Sequence, residues 1–214
     1  MIGKKLINTG AAGGADAFKP SNHFNTVLYT GNGGTQRIGG YINRGAVFNG
    51  SSSSISQSEN LINADAFSLS FWFRTSTNAT STSDEYIFSF RNASRTFHIR
   101  THTDGKIAFN NWLGFTVGTH DLRSTSTYTD GDWHHCVLTY DHDGSNTIVG
   151  YIDGIADSNL TSTSMTFVSQ TLGNFIGKFD GGGRIYTGAL DQVRYFNKAL
   201  SQQEVTTLSN ETHA

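Results

Sequence analysis

The sequence predicts an all-β protein, an antiparallel β-sandwich or jelly roll with one short C-terminal helix. Three observations predict this class: short segments in which apolar and polar residues alternate, glycine-rich turns between those segments, and a single stretch with helical spacing. A chain of 214 residues fits one such domain. A parallel α/β fold is excluded because its strands need helical crossovers.

The alternation is clearest in "FSLSFWFRT", residues 67–75. Leu69, Phe71 and Phe73 share one face of the predicted strand, because successive side chains of a strand point to opposite sides. The other face carries Trp72, which is also a large ring. A strand with large rings on both faces is predicted to be central in its sheet.

The two ends of the chain differ in pattern. Residues 1–23 are rich in glycine and alanine without periodicity, and they are predicted to form a flexible N-terminal arm before a jelly-roll domain at residues 24–214. Helical spacing occurs in "NKALSQQEVTTLSN", residues 197–210, where Ser201 and Glu204 are spaced as a capping box.

The composition excludes several classes of function. Lys and Arg number 15 against 17 Asp and Glu, and no basic run is present, which argues against a nucleic-acid partner. No apolar stretch approaches the ~18 residues of a membrane span, and the N-terminus lacks the apolar core of a signal peptide. Few charges with many Ser, Thr and Asn are frequent in extracellular and virion proteins.

The stretch "DGDWHHCVLTYDHDGSNTIVGYIDG", residues 130–154, concentrates residue types that are common in catalytic and metal sites. His134 and His135 are adjacent, so in a strand they point to opposite faces and cannot easily share a metal ion or a reaction. We expect each to be hydrogen-bonded in or beside the core. The lone Cys136 is expected to be a buried thiol.

The same stretch resembles the start of a calcium-binding loop at Asp141 and Asp143. That loop needs glycine at its sixth position and a bidentate glutamate at its twelfth. Asn146 and Ile152 occupy those positions, so the motif fails. Asp-Gly pairs at residues 143–144 and 153–154 instead predict tight hairpin turns.

A candidate ligand-binding face comes from "RTFHIRTH" and "IAFNNW". His98, Arg100 and His102 alternate on one face of a hairpin predicted to be half-exposed, and Trp112 shares a face with Asn110 nearby. Sugar binding needs an exposed ring for stacking and planar polar groups for the hydroxyls, and these five residues supply both. The alternatives are that Trp112 packs under a loop and that the row is a solvated face or a subunit interface.

Four segments in order resemble the laminin-G-like domains of the concanavalin A-like lectin and glucanase superfamily: "AVFNGSSSSISQS", "AFSLSFWFRT", residues 130–154 and "GALDQVRYFNKALSQQEV". The resemblance implies two antiparallel sheets, with ligands met on the concave sheet or the rim loops. The segment "FNTVLYTGNGGTQRIGGY" also resembles structural and fibre proteins of marine bacteriophages.

The resemblance further suggests a calcium ion between the first and last strands. Asp191 has the same parity as the apolar Val193 and Tyr195, which predicts a buried carboxylate that needs a partner. Family members often carry aspartate where this chain has Asn49, and a neutral oxygen weakens such a site. The alternative is a bulge at Gly188 that turns Asp191 to solvent.

These features predict a non-catalytic virion or extracellular module for adhesion or structure. It is expected to bind a glycan or other virion subunits, to mediate particle assembly or host attachment, and to form a homo-oligomer. The alternative is a jelly-roll glycoside hydrolase, which needs two carboxylates facing the scissile bond. Asp84 and Glu85 are adjacent and no strand carries alternating acids, which argues against that alternative.

Overall fold

The computed structural model of the chain describes residues 31–32, 36–39, 41, 44–57, 66–75, 83–91, 95–113, 120–142, 146–163, 174–179 and 183–211. The predicted arm, residues 1–23, and the predicted turn at residues 143–144 lie outside the described residues.

The described part of the chain forms fourteen strands and one helix. Their bounds are β1 (Gly31–Asn32), β2 (Gln36–Gly39), β3 (Arg44–Asn49), β4 (Ser54–Gln57), β5 (Ala66–Arg74), β6 (Glu85–Arg91), β7 (Arg95–Thr101), β8 (Lys106–Leu113), β9 (His120–Thr127), β10 (His134–Asp141), β11 (Thr147–Ile152), β12 (Ile155–Ser162), β13 (Asn174–Ile176), β14 (Thr187–Phe196) and α1 (Gln202–Ser209).

The strands build two seven-stranded antiparallel sheets. The first sheet has the order β1-β4-β13-β6-β7-β8-β9, and the second has the order β12-β11-β10-β5-β14-β3-β2. The predicted fold class is therefore confirmed. β5 lies between β10 and β14, in the central position that its two-sided apolar pattern predicts.

The core lies between the inner faces of the two sheets and is mostly aromatic. Phe71 of β5 packs against Phe88 of β6 with ring centroids 4.8 Å apart. Phe88 continues to Phe90, and Phe90 to Phe97 of β7, in near-parallel stacks. The alternation seen in the sequence thus separates core-facing residues from residues on the outer faces.

The turn between β11 and β12 follows the prediction from its Asp-Gly pair. Asp153 and Gly154 both have positive φ, at 52° and 81°. Two successive left-handed residues form the turn that matches the twist of a two-stranded hairpin, and Asp-Gly tolerates this conformation well.

α1 covers the outer face of the second sheet. Its buried Val205 and Leu208 pack with Val137 of β10. The predicted capping box is present, because Ser201 accepts from the Glu204 backbone and the Glu204 side chain accepts from the Ser201 backbone. None of the described helices is long and apolar enough to span a membrane.

A buried carboxylate joins the two sheets at one side of the sandwich. Asp157 of the edge strand β12 accepts hydrogen bonds from the backbone nitrogen and the hydroxyl of Thr125 in β9, at 2.8 and 2.9 Å. It also accepts from the backbone nitrogen of Asn159. The Asp157 side chain therefore accepts three hydrogen bonds. Two of them come from β9, an edge strand of the other sheet that does not pair with β12.

We expect Asp157→Ala to destabilise the protein by about 1–3 kcal/mol, because it leaves the Thr125 donors without their acceptor. Urea unfolding followed by tryptophan fluorescence measures the change. Ser158→Ala, at an exposed position of the same strand, is the control and should change the free energy of unfolding by less than about 0.5 kcal/mol. Equal effects of the two substitutions would contradict a link between the sheets at Asp157.

Candidate functional site

A row of polar residues crosses four strands on the outer face of the first sheet. Ser89 of β6 pairs with His98 of β7, His98 with Asn110 of β8, and Asn110 with Asp121 of β9. Directly paired residues lie on the same face of a sheet. Phe97, which precedes His98 in β7, points to the other face and lies in the core. We call Ser89, His98, Asn110 and Asp121 the polar row.

The structure brings together three of the five residues predicted to bind a ligand. His98, Arg100 and Asn110 lie on this face in adjacent strands, but their exposed fractions are only 3, 6 and 5%. The predicted half-exposed hairpin is wrong at these positions. One reason is that the rings of Tyr86 and Phe179 pack against His98.

The other two predicted residues lie at the margins of the face. The backbone of Trp112 pairs with Thr96, two residues beyond the pair of His98 and Asn110. The Trp112 side chain lies outside the described part of the structure, so its role stays a prediction. His102 follows β7 and is half-buried, with Nδ1 2.9 Å from Oδ1 of Asp104.

Two arginines and three aspartates form a charged network beside the polar row. Arg100 lies between two carboxylates, with Nε 2.8 Å from Asp84 and Nη2 2.7 Å from Asp121. Arg123 of β9 donates to Asp121 through Nε and Nη2, at 3.1 and 2.7 Å, and its Nη1 lies 3.7 Å from Asp104. We call Asp84, Arg100, Asp104, Asp121 and Arg123 the charged network.

The network keeps its outer carboxylates ionised. Burial raises the pKa of Asp121, but the hydrogen bond from Arg123 and the charge of Arg100 outweigh burial and leave that pKa below its ordinary value. Burial likewise raises the pKa of Asp104, while contacts with His102 and Arg123 lower it further than burial raises it. Both carboxylates therefore present charged oxygens at this surface.

An aromatic corner adjoins the polar row on the other side. The rings of Tyr86, His98 and Phe179 contact one another with centroid distances of 4.8 to 5.4 Å. Phe179 is only partly buried, so some of its ring is accessible. Arg184 donates to the Tyr86 hydroxyl at 3.1 Å.

Sequence reasoning missed the aromatic corner and the acidic partners of Arg100. The available signal for Phe179 was a single ring within the glycine-rich "GKFDGGGR", which is typical of a loop that presents a side chain. Asp121 has no local signal, because its relation to Asn110 depends on the register of two strands.

Two buried oxygen atoms in the polar row form no hydrogen bond with the described part of the chain. Among the described residues, Oδ1 of Asn110 and Oγ of Ser89 lack a hydrogen bond, although the side chain of Asn110 donates to Asp121. An unsatisfied buried polar atom is costly, and buried water commonly satisfies such atoms.

The proposed calcium residues are separated by the strand register. Asn49 pairs with Thr187, and Asp191 lies four residues further along β14, a distance of roughly 13 Å at the rise of a strand. Oδ1 of Asn49 already accepts hydrogen bonds from the backbone N–H groups of Ser51, Ser52 and Ser53. The two residues therefore do not fit one shared ion.

Asp191 itself is buried, with an exposed fraction of 2%, but contrary to the prediction it does not share a face with Tyr195, because Asp191 pairs with Trp72 whereas Tyr195 pairs with the core residue Leu69. The alternative of a bulge at Gly188 that turns it to solvent is wrong, because the irregularity follows Asp191, where Gln192 has a φ of 48°. Gln192 donates its backbone N–H to Asp191 Oδ1 at 2.7 Å. Across the described residues, no group of three or more His, Cys, Asp or Glu could hold a metal ion, and calcium binding stays a prediction.

The adjacent histidines lie on opposite sides of β10, as predicted. His135 is buried with Nε2 2.9 Å from Oγ of Ser70, and burial together with the charge of Arg194 lowers its pKa to about 3. His134 Nδ1 lies 2.8 Å from Asp153, and this hydrogen bond raises the pKa of His134 despite partial burial. Both residues serve the framework, and Cys136 between the sheets is buried as expected.

The pKa of His135 predicts a loss of stability in acid. The unfolded chain binds a proton near pH 6.5 and the folded chain only near pH 3, so the free energy of unfolding falls as the pH drops between these values. Between pH 6 and 4, we expect His135→Gln to reduce the loss of unfolding free energy by up to about 1.4 kcal/mol per pH unit. Urea unfolding at several pH values measures this dependence.

His134→Gln is the matched control. Its histidine has a raised pKa, so the stability it contributes is full below pH 6.5 and is lost as the pH rises through the folded value. This variant should keep the acid slope of the parent protein. An unchanged acid slope in His135→Gln would contradict a neutral buried ring at His135.

A family profile described as the concanavalin A-like lectin/glucanases superfamily, and named for laminin G, matches residues 48–206. The match covers more than half of the chain, and the chain therefore belongs to this superfamily. The resemblance predicted from the four sequence segments is confirmed.

Solved structures share the fold at low sequence identity. Domain 4 of AbnA, a GH43 extracellular arabinanase from Geobacillus stearothermophilus in complex with arabinotriose, is 21% identical with a TM-score of 0.68, over 84% of this chain and 82% of that domain. The binding domain of Paraclostridial Mosquitocidal Protein 1 is 19% identical with a TM-score of 0.66, over 83% of this chain and 45% of that one.

The receptor-binding domain of botulinum neurotoxin type G is 17% identical with a TM-score of 0.63, over 84% of this chain and 45% of that one. This chain thus spans less than half of either toxin domain. At these identities the similarity establishes the fold alone. No protein with a curated description matches the chain.

Proposed function

We propose that this protein is a non-catalytic extracellular module that binds a glycan on the outer face of β6 to β9. One observation carries the proposal: an amide, ionised carboxylates and guanidinium groups lie in register across adjacent strands beside a partly accessible aromatic ring. Sugar sites combine such planar polar groups with a ring that stacks on the pyranose face.

Each group has a distinct part in the proposed site. The partly accessible ring of Phe179 stacks on the sugar. Asp121 and Arg123, which are more exposed than the centre of the row, accept from and donate to further hydroxyls. Trp112 adds a second stacking ring in this proposal.

The carboxylates favour binding over hydrolysis. A glycosidase needs a general acid with a raised pKa facing a second carboxylate. Asp84 and Asp121 both bind Arg100, and the pKa of Asp121 is lowered. Burial raises the pKa of Glu85, but both of its oxygens accept hydrogen bonds from Thr187 of the opposite sheet.

Fold neighbours support a binding role, since one was solved with arabinotriose and another is described as a receptor-binding domain. We also propose that the module acts as a homo-oligomer in a virion or at a cell surface, in adhesion or in assembly with other virion subunits. The likeness of its N-terminal segment to marine bacteriophage structural proteins supports this location.

We expect the protein to bind at least one glycan on an array of neutral and acidic oligosaccharides. Phe179→Ala should weaken that binding about tenfold, because an aromatic stack contributes roughly 1–1.5 kcal/mol. Titration calorimetry with the strongest glycan measures the affinity.

Ile155→Ala is the matched control for this experiment. Ile155 is an apolar side chain of β12 in the other sheet with an exposed fraction of 73%, so its truncation should leave binding unchanged. Binding of no glycan, or equal affinity of the Phe179→Ala variant and the parent protein, would contradict the proposed function.

A further inference from the structure

We infer that Asn49 is a latent deamidation site, protected in the folded protein and reactive once the end of β3 separates from β14. Asn49 and Gly50 are both exposed, so water reaches this turn between β3 and β4. Protection must therefore come from the geometry of the turn and not from burial. The chemistry is independent of the proposed glycan-binding face.

An Asn-Gly pair loses ammonia through an attack within the chain. The backbone nitrogen of Gly50 forms a bond with Cγ of Asn49, the Cγ–Nδ2 bond breaks, and the amide hydrogen leaves with Nδ2 as ammonia. The product is a five-membered imide, which water opens to aspartate or to isoaspartate. Glycine at the second position favours the attack, because it has no Cβ to hinder the approach of its nitrogen.

The fold points the attacking nitrogen away from its target. In the planar imide, Cγ of Asn49 takes the position that the amide hydrogen of Gly50 held before. In the structure that hydrogen is directed at the backbone oxygen of Tyr186, and the Gly50 nitrogen lies 3.0 Å from this oxygen. Bond formation with Cγ therefore requires the loss of this hydrogen bond and a rotation of the backbone at Asn49.

The side chain of Asn49 is also held in place. Its Nδ2 donates to Oγ of Ser52 at 3.1 Å. Its Oδ1 accepts hydrogen bonds of 2.9 to 3.0 Å from three successive backbone N–H groups, those of Ser51, Ser52 and Ser53. These donors polarise the amide carbonyl, but polarisation cannot accelerate the reaction while the Gly50 N–H is bound to Tyr186.

The acceptor of the Gly50 N–H is fixed by further hydrogen bonds. Tyr186 is fully buried, and its hydroxyl donates to the backbone oxygen of Arg74 at 3.0 Å. The next residue, Thr187, donates its backbone N–H and its hydroxyl to Glu85 of β6, at 2.9 and 3.1 Å. The start of β14 is thus attached to both sheets, so reaction at Asn49 requires the end of β3 and its turn to move.

The test compares deamidation of Asn49 in the folded protein and in guanidinium chloride, by peptide mapping with mass spectrometry after incubation at mildly alkaline pH. We expect the folded protein to react at least about tenfold more slowly, because local opening must precede the attack. Asn32–Gly33, the other Asn-Gly pair of the sequence, should react in the denaturant at a rate comparable with that of Asn49.

Hydrogen exchange of the Gly50 amide provides a second measurement. Exchange and deamidation both require the hydrogen bond to Tyr186 to break, so we expect them to be slowed by similar factors in the folded protein. Tyr186→Phe removes the hydroxyl that anchors the acceptor and should raise both rates together, by about two- to tenfold. Tyr195→Phe, near the opposite end of β14, is the control and should change neither rate.

Equal rates of Asn49 deamidation in the folded and the unfolded protein, or a Gly50 amide that exchanges without protection, overturn the inference. An Asn49 that stays intact in the denaturant while Asn32 reacts also overturns it. The parent protein alone decides these outcomes, even where Tyr186→Phe does not fold. A folded Tyr186→Phe variant with unchanged rates contradicts the anchoring role of Tyr186.

Discussion

The structure depends on the packing of aromatic rings between the two sheets. Phe71 and Phe73 of β5 lie in one core with Phe88 of β6 and Phe97 of β7. Because side chains alternate along a strand, fixing these rings inside also fixes which residues lie outside. A shift of one residue in β7 would bring His98 into the core in place of Phe97 and interrupt the polar row.

The two outer faces that result are used differently. The second sheet is covered by α1, where Val205 and Leu208 form a second apolar cluster with Phe196. The first sheet instead carries the polar row and the charged network, with Asn110 Oδ1 unsatisfied among the described residues. The two outer faces therefore differ: apolar side chains of α1 pack on the second sheet, whereas polar and charged side chains lie on the first.

Much of this arrangement could be predicted from local patterns. Alternation places His98 and Arg100 on one face and separates His134 from His135, and the spacing of Ser201 and Glu204 predicts the helix cap. These inferences succeed because the period of a strand and the geometry of a helix terminus are local properties.

The remaining features depend on contacts between distant parts of the chain. The burial of His98 involves Phe179, which lies 81 residues later in the sequence (179 − 98). The separation of Asn49 from Asp191 follows from the register of β14 against β3. No local pattern contains this information, so the half-exposed hairpin and the shared calcium site were reasonable predictions that the register and the packing do not support.

Amide chemical-shift changes in NMR spectra can map a bound glycan on the protein and so test the proposed binding face. We expect the largest changes on β7, β8 and β9, around Asn110 and Asp121, and on the segment that carries Phe179. Changes confined to the second sheet, around His135 and α1, would contradict the proposal that the outer face of β6 to β9 binds the glycan.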